Sequence, residues 1–285
     1  MIESQHIQYA AEMACLLEAS AEKPGNVTPT KSFADMRFED FLRSAVAIGP
    51  ELALAGQRGV GETVLAAICA TKRWVRPNTN LGIVLLLAPL ARAATCAVSL
   101  ASVDLRRSVR DVLRTLTIED ARAAYEAIRL AVPGGMTEAV DAHDVRSAVP
   151  TITLREAMAL AAQRDSIASE YVTDYTIVFE RCLPVYQAAL VQGLDERTAI
   201  VQMYLHTLAT VPDTLIARKA GMAAAVRVSA QAAAVIALGG MSSTAGRQAI
   251  AQFDRDLRID GNRLNPGTTA DLAAAALFAS QLCLA

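Results

Sequence analysis

Aromatic residues are scarce, at 5% of 285 residues with a single tryptophan, so a fold built on aromatic-rich strands is a poor expectation. Histidine is rarer still. The three present, His6, His143 and His206, have no ligand spacing, which argues against a zinc centre. The five cysteines, Cys15, Cys69, Cys96, Cys182 and Cys283, are scattered, odd in number and unpaired in spacing. They read as reduced core thiols of a cytoplasmic protein, not as a disulfide framework. No excess of positive charge exists, since 27 Lys and Arg face 29 Asp and Glu for a net charge of −2. A nucleic-acid or membrane surface would need a basic patch, so neither partner is expected. Long apolar runs are also missing. The stretch 81–91 is too short for a bilayer, and the alanine-rich run after Gly221 is interrupted by Arg227 and Gln231. The chain opens without a basic segment leading into an apolar core, so no secretory signal is expected.

What is present is alanine and helical period. Alanine loses no side-chain entropy in a helix. Ile7, Ala10, Ala11, Ala14 and Leu17 recur at spacings of three and four, and similar stripes follow in 38–54, 60–74, 81–98, 119–131, 154–168, 172–191, 196–210, 213–238, 243–258 and 268–283. Thr153 with Glu156 and Thr117 with Asp120 have N-cap spacing, and Asp195 precedes a further stripe. Gly193, Gly239 and Gly240 mark helix ends. Alternation at period two is absent. The pattern predicts an all-α, single-domain multi-helix bundle over 1–285, with no Rossmann or P-loop unit. An enzyme of this class that handles phosphates must build its anion sites from helix beginnings, turns and basic side chains.

Four polar stretches interrupt the apolar stripes. Glu22-Lys23-Pro24-Gly25-Asn26-Val27 is either a plain helix stop or part of a site, and the polar loop that follows to Asp35 is long for a simple connection. Pro77-Asn78-Thr79-Asn80-Leu81-Gly82 opens the most apolar helix. Asn78 or Thr79 caps it, or the carboxamides and free N–H groups receive a phosphate or a sugar hydroxyl. Pro212-Asp213-Thr214 leads to the adjacent basic pair Arg218-Lys219, which suits a polyphosphate or a solvated face. Asn265-Pro266-Gly267 reads as N-cap, first helical residue and the glycine next to it, a tidy helix start, with Asp271 one turn further on. A carboxylate on so apolar a helix is costly unless it is paired or binds a cation, which favours a functional reading for Asp271.

Other signals are weaker. Gly59-Val60-Gly61 has no strand before it and is no dinucleotide fingerprint. Pro133-Gly134-Gly135 reads as a helix-ending turn. Glu170 with Asp174, and Glu18 with Glu22, are like-charge pairs four apart, a cost that a bound Mg²⁺ would reverse.

Taken in order, these stretches resemble the triphosphoribosyl-dephospho-CoA synthase family. Glu18 followed by Lys23-Pro24-Gly25-Asn26-Val27 looks like the family's opening motif, continued by Asp35-Met36, Phe38, Phe41-Leu42 and Ser44-Ala45. Asn78-Thr79-Asn80-Leu81-Gly82 stands where the family has Asn-Thr-His-Lys-Gly. Asp213-Thr214 with Arg218-Lys219-Ala220-Gly221 is similar to its Asp-Thr…His-Arg-Gly-Gly, and 265–272 to its Ser-Pro-Gly-Gly-Ser-Ala-Asp-Leu. Asn80-Leu81 stand in place of His-Lys and Lys219 in place of Arg, and the Glu-Lys-Pro-Gly-Asn-Val and Asn-Thr-Asn-Leu-Gly forms resemble a divergent branch found in archaea and in bacteria that make methanopterin-type cofactors.

The resemblance implies an all-helical transferase. It would join ATP to 3′-dephospho-CoA at the 2′-hydroxyl, release adenine, and invert the anomeric carbon from β to α. Single displacement then needs no covalent nucleophile, by the logic that separates inverting from retaining glycosidases. A carboxylate must take the hydroxyl proton, a donor must assist adenine, and cations must hold the triphosphate. The expected base or Mg²⁺ ligand is Asp271 or Asp213, with Glu18 a further candidate. Lys23, Arg218 and Lys219 would bind phosphates together with Gly25, Asn265 and Gly267, and Asn78, Thr79 and Asn80 would position ribose or phosphate. The expected partners are ATP, Mg²⁺ and dephospho-CoA or a related acceptor alcohol. A homodimer is compatible with this reading, as is a nucleotide-binding relative without catalysis.

Overall fold

The computed structural model describes residues 2–132 and 149–283. Its order is α1 (Ser4–Ser20), α2 (Phe38–Ala53), α3 (Val60–Lys72), α4 (Leu81–Cys96), α5 (Ser102–Arg114), α6 (Ile118–Ala131), α7 (Leu154–Ala161), α8 (Ser166–Val172), a π-helix (Ile177–Cys182), α9 (Leu183–Val191), α10 (Glu196–Thr210), α11 (Thr214–Ala220), α12 (Met222–Ala237), a 3₁₀ turn (Gly240–Ser242), α13 (Thr244–Leu257) and α14 (Gly267–Leu282). No strand occurs among the described residues, so the all-α bundle stands.

The expected capping boxes form. Thr117 and Asp120 bond reciprocally at α6, Thr153 and Glu156 do so at α7, and Asp195 caps α10. Three expected helices are divided. The stripe 154–168 breaks at Asp165, which caps α8, and 213–238 breaks at Gly221 (φ +88). The stripe 172–191 contains Asp174 and Tyr175 at positive φ and then the π-helix. Helix α5 was missed because its stripe is only Leu105, Val109 and Leu113 amid charged residues. The Gly59–Gly61 segment is a packing device, in which the Gly61 N–H donates to Asp120 (2.8 Å) and seats α3 on α6. Cys69 and Cys96 lie at the surface, so the core-thiol expectation holds for Cys15 and Cys182 only. Pro133-Gly134-Gly135 lies outside the described residues.

Helix α14 is the axis of the bundle. Ala273 through Ala279 are wholly buried, and α1, α4, α10, α11 and the π-helix pack around it. Small side chains let those neighbours come close, while Leu277 and Phe278 fill the remaining space, each contributing about 2 kcal/mol by burial. Helix α4 lies against it with Leu86, Leu87 and Leu90 fully buried. Pro89 inside α4 has no N–H and leaves the Leu85 carbonyl unbonded. The Tyr171 hydroxyl donates to that carbonyl (2.6 Å), and Tyr175 donates to Leu86 (2.8 Å), which fixes α8 and the following turn on α4. The segment Met222–Ser242 is long and apolar enough to cross a membrane by length and composition alone, and 33% of its most apolar window is buried against the rest of the protein.

Candidate active site at the start of the central helix

The four polar stretches meet at the beginning of α14. Asp213 caps α11 through Oδ1, which accepts from the N–H groups of Leu215 (2.9 Å) and Ile216 (3.0 Å). Its Oδ2 accepts from the N–H (2.7 Å) and hydroxyl (2.8 Å) of Thr269, which fastens α11 to α14. Beside them the Thr214 hydroxyl donates to Thr268 and accepts from the N–H of Ser166 (3.3 Å), which brings in α8. Asp165, the cap of α8, pairs with Arg218. Helix α4 arrives through Gly82. A Cβ there would lie 2.0 Å from Asp271 Oδ2 and 2.7 Å from Ile167, so only glycine leaves room for the Asp271 carboxylate. The opening stretch closes the ring through Gly25, at φ +77, where a Cβ would stand 2.9 Å from Pro266.

The two expected catalytic aspartates differ in their partners. The Asp213 carboxylate is 1% exposed and has both oxygens engaged twice. Burial pushes its pKa up, against the pull of the Ile216, Thr269 and Leu215 hydrogen bonds. Asp271 has no hydrogen bond or ion pair among the described residues, though it keeps a narrow face open to solvent. Burial, and then the charges of Glu18 and Asp213, push its pKa well above the usual carboxylate range, with Arg218 acting in the opposite direction. Such a group is a stronger base than an ordinary aspartate.

Several expected binding residues are committed elsewhere. Lys23 is 1% exposed, its ammonium 3.0 Å from Glu18 Oε1 and donating to the backbone carbonyls of Glu18 and Ala21. An ammonium has three donors. Lys23 therefore pins its own loop and has none left for phosphate, and Glu18 is the partner that neutralises it. The Gly25 N–H donates to Asp254 (2.8 Å). The Thr79 hydroxyl meets Ser44, and the Asn80 amide donates to Thr71 (2.9 Å), so both side chains turn inward. Asn78 accepts from the Leu81 N–H (3.1 Å), although the cap position is Asn80. At α14 the cap is Pro266 and not Asn265, whose Oδ1 is buried without a partner among the described residues. Gly267 begins the helix and packs on Leu215.

The basic pair lies at the end of α11, beside this junction. Arg218 is partly exposed on Asp165, and Lys219 is half-buried, donating to the Asn262 carbonyl (3.0 Å). Burial lowers the Lys219 pKa, while Asp35 and Asp213 act against that. Glu22 turns away from Glu18 to take the Thr28 (2.8 Å) and Thr30 (3.0 Å) hydroxyls. Among the described residues no three His, Cys, Asp or Glu side chains converge as a metal cage, and Asp271 alone of Glu18, Asp213 and Asp271 is free to touch a cation.

Asp254 was missed by sequence reasoning. It accepts from Gly25, Lys31 (2.7 Å) and Arg258 (2.9 Å) and so holds the opening loop in place. Burial would raise its pKa, but the hydrogen bonds from Lys31, Gly25 and Arg258 prevail and lower it. Nothing in its local sequence signals this, because its partners are more than 200 positions away in the chain for Gly25 and Lys31.

A family model described as ATP:dephospho-CoA triphosphoribosyl transferase (CitG) matches residues 4–284. A candidate 2-(5″-triphosphoribosyl)-3′-dephosphocoenzyme-A synthase of Stutzerimonas stutzeri is 32% identical over 108 residues, covering 38% of this chain and 37% of that protein. One of Pseudomonas savastanoi pv. phaseolicola is 29% identical over 164 residues, covering 50% of this chain and 56% of its own. The matched stretches thus span about a third to a half of those relatives. The crystal structure of a candidate triphosphoribosyl-dephospho-CoA synthase from Archaeoglobus fulgidus is 26% identical, with a TM-score of 0.64 over 86% of this chain and 98% of that one.

Proposed function

This chain belongs to the ATP:dephospho-CoA triphosphoribosyl transferase family, and from that premise we propose that it moves the 5-triphosphoribosyl group of ATP onto the 2′-hydroxyl of 3′-dephospho-CoA. Residues 1–285 act as one domain in this reading, in the cytoplasm. The observation that carries it is the bare Asp271 carboxylate at the point where α4, α8, α11 and α14 meet. An unpaired carboxylate inside an apolar bundle is costly, and a reaction that needs a base accounts for its presence.

The acceptor oxygen attacks C1′ of the ATP ribose as the C1′–N9 bond breaks and its electron pair leaves with adenine. Asp271 takes the hydroxyl proton and later releases it to solvent, and the departing adenine takes a proton at N9 from water. Arg218 and Lys219 hold the triphosphate, joined by the first-turn N–H groups of α4 and α14 other than those of Leu81, Gly267 and Thr269, which donate within the protein. Asp213 positions Thr269, and Glu18 with Lys23 shapes the neighbouring loop. Mg²⁺ would come with the triphosphate and would neutralise part of its charge, leaving Asp271 free as the base.

A second reading changes the acceptor. Asn80 turns its amide to Thr71 and Leu81 is 6% exposed, so this part of the site offers no cation where relatives carry His-Lys. An acceptor with fewer phosphates, such as the alcohol of a methanopterin-type precursor, suits that wall. Incubation with ATP, Mg²⁺ and each acceptor, with mass spectrometry of the products, separates the readings. Adenine formed only with dephospho-CoA supports the first, and adenine formed only with a pterin alcohol supports the second. ATP binding with no adenine from any acceptor contradicts both.

A further inference from the structure

Helix α5 and the turn after α8 flank a solvent-open pocket of about 370 Å³ lined by Val103, Arg106, Arg107, Arg110 and Asp174. It is separate from the α14 cleft, because Asp165 meets Arg218 at one end of α8 while Asp174 follows the other end, about 10 Å of helix away. Arg106 is held rigidly. Its guanidinium donates to the Asp174 carbonyl (2.9 Å) and Thr176 (3.2 Å), pairs with Glu180 (2.7 Å) and stacks on Phe179. Arg107 meets only the exposed edge of Asp104. Arg110 lies one turn from both, and its Nε is buried with no hydrogen-bond partner among the described residues. A guanidinium N–H withdrawn from water and left unbonded is expensive. Glu180 is spent on Arg106 and Asp104 on Arg107, and Asp174, which lines the same cavity, makes no ion pair with Arg110, so among the described residues Arg110 stands without a salt bridge.

We propose that this cavity is a second oxyanion site, which binds the phosphoryl group of a small phosphate compound between Arg107 and Arg110. Two guanidinium groups three positions apart on one helix face can each offer paired donors to tetrahedral oxygens. Asp174 lines the same cavity and would accept a hydroxyl of a phosphomonoester. Its wall is fixed by Glu170, which accepts from the N–H groups of Ile177 (2.9 Å) and Val178 (2.9 Å) and so anchors the turn that carries Asp174. Glu170 and Asp174 thus do not share a metal. One anchors the wall and the other faces the cavity. The inference is independent of the transferase reading, because phosphate binding reports on α5 whether or not ATP turns over.

The test is calorimetric titration of the full-length protein with inorganic phosphate and, separately, with glycerol 3-phosphate. ATP is left out, and an Arg218→Met variant titrated alongside identifies any phosphate that binds at the start of α14 instead. The expected result is one saturable site that Arg110→Met weakens at least about tenfold and Arg107→Met weakens less, while Asp271→Asn leaves it unchanged. Arg107 is 60% exposed on its side chain, so its replacement leaves the fold intact. Tighter binding of glycerol 3-phosphate identifies a phosphomonoester as the ligand, and tighter binding of phosphate identifies the free ion. Absence of saturable binding, or binding indifferent to both arginine variants, overturns the proposal.

Discussion

Asp213 at the start of α11 and Asp271 one turn into α14 are both enclosed carboxylates whose pKa burial pushes up, yet their surroundings differ in kind. Asp213 is saturated by Leu215, Ile216 and Thr269 and acts as a mechanical joint between two helices. Among the described residues Asp271 has no hydrogen-bond or ion-pair partner, and Gly82 leaves the room it occupies. The difference teaches that burial alone does not identify a reactive group. What identifies it is burial without satisfaction, because a satisfied carboxylate has nothing left to offer a substrate.

The comparison breaks most directly at Asp271. Asp271→Asn should lower adenine release by about 10³-fold, the contribution of a positioned base, with the helical circular-dichroism signal retained. Activity within tenfold of wild type would contradict the assignment. The pH behaviour has a definite sign. The folded state binds the Asp271 proton more tightly than the unfolded chain, so this group's contribution to stability is full below about pH 4 and lost as pH rises through its elevated folded pKa. Thermal melts from pH 4 to 8 should therefore show Asp271→Asn gaining on wild type as pH rises, and parallel curves would contradict the raised pKa.

Gly82→Ala sharpens the contrast without touching the carboxylate. The added Cβ would stand 2.0 Å from Asp271 Oδ2, so the carboxylate must shift, and kcat should fall about 10²-fold, as misplacements of this size do. An unaffected kcat would mean that Asp271 position is unimportant. Arg218→Met should raise the KM for ATP by about tenfold with a smaller change in kcat, measured by steady-state kinetics. Asp213→Asn should have the smallest effect on turnover, within a few-fold, but cost about 2 kcal/mol of stability in urea unfolding, since an amide cannot accept at both former oxygens. A large loss of kcat with normal stability would reverse the roles of the two aspartates.

The sequence carried the helices well where apolar stripes and caps coincide, as at α6, α7 and α10. It failed where local chemistry divides a continuous stripe. Asp165 begins a new helix by capping N–H groups, and Gly221 ends one by its backbone conformation. Neither event alters the apolar period. The site was legible as four polar stretches, and all four meet at α14. Which side chains are free was not legible, because Lys23, Thr79, Asn80 and Asp213 are consumed by tertiary partners. Asp254 and the α5 arginines were hidden for the same reason, since their meaning depends on residues distant in the chain.

The central claim is that the nucleotide lies at the start of α14, with Asp271 as its reactive neighbour. A crystal structure of the Asp271→Asn variant with ATP, Mg²⁺ and dephospho-CoA tests it most directly. The account predicts the triphosphate against Arg218 and Lys219 and the ribose C1′ facing position 271. A nucleotide bound in the α5 cavity, or one whose ribose is turned away from position 271, would contradict it.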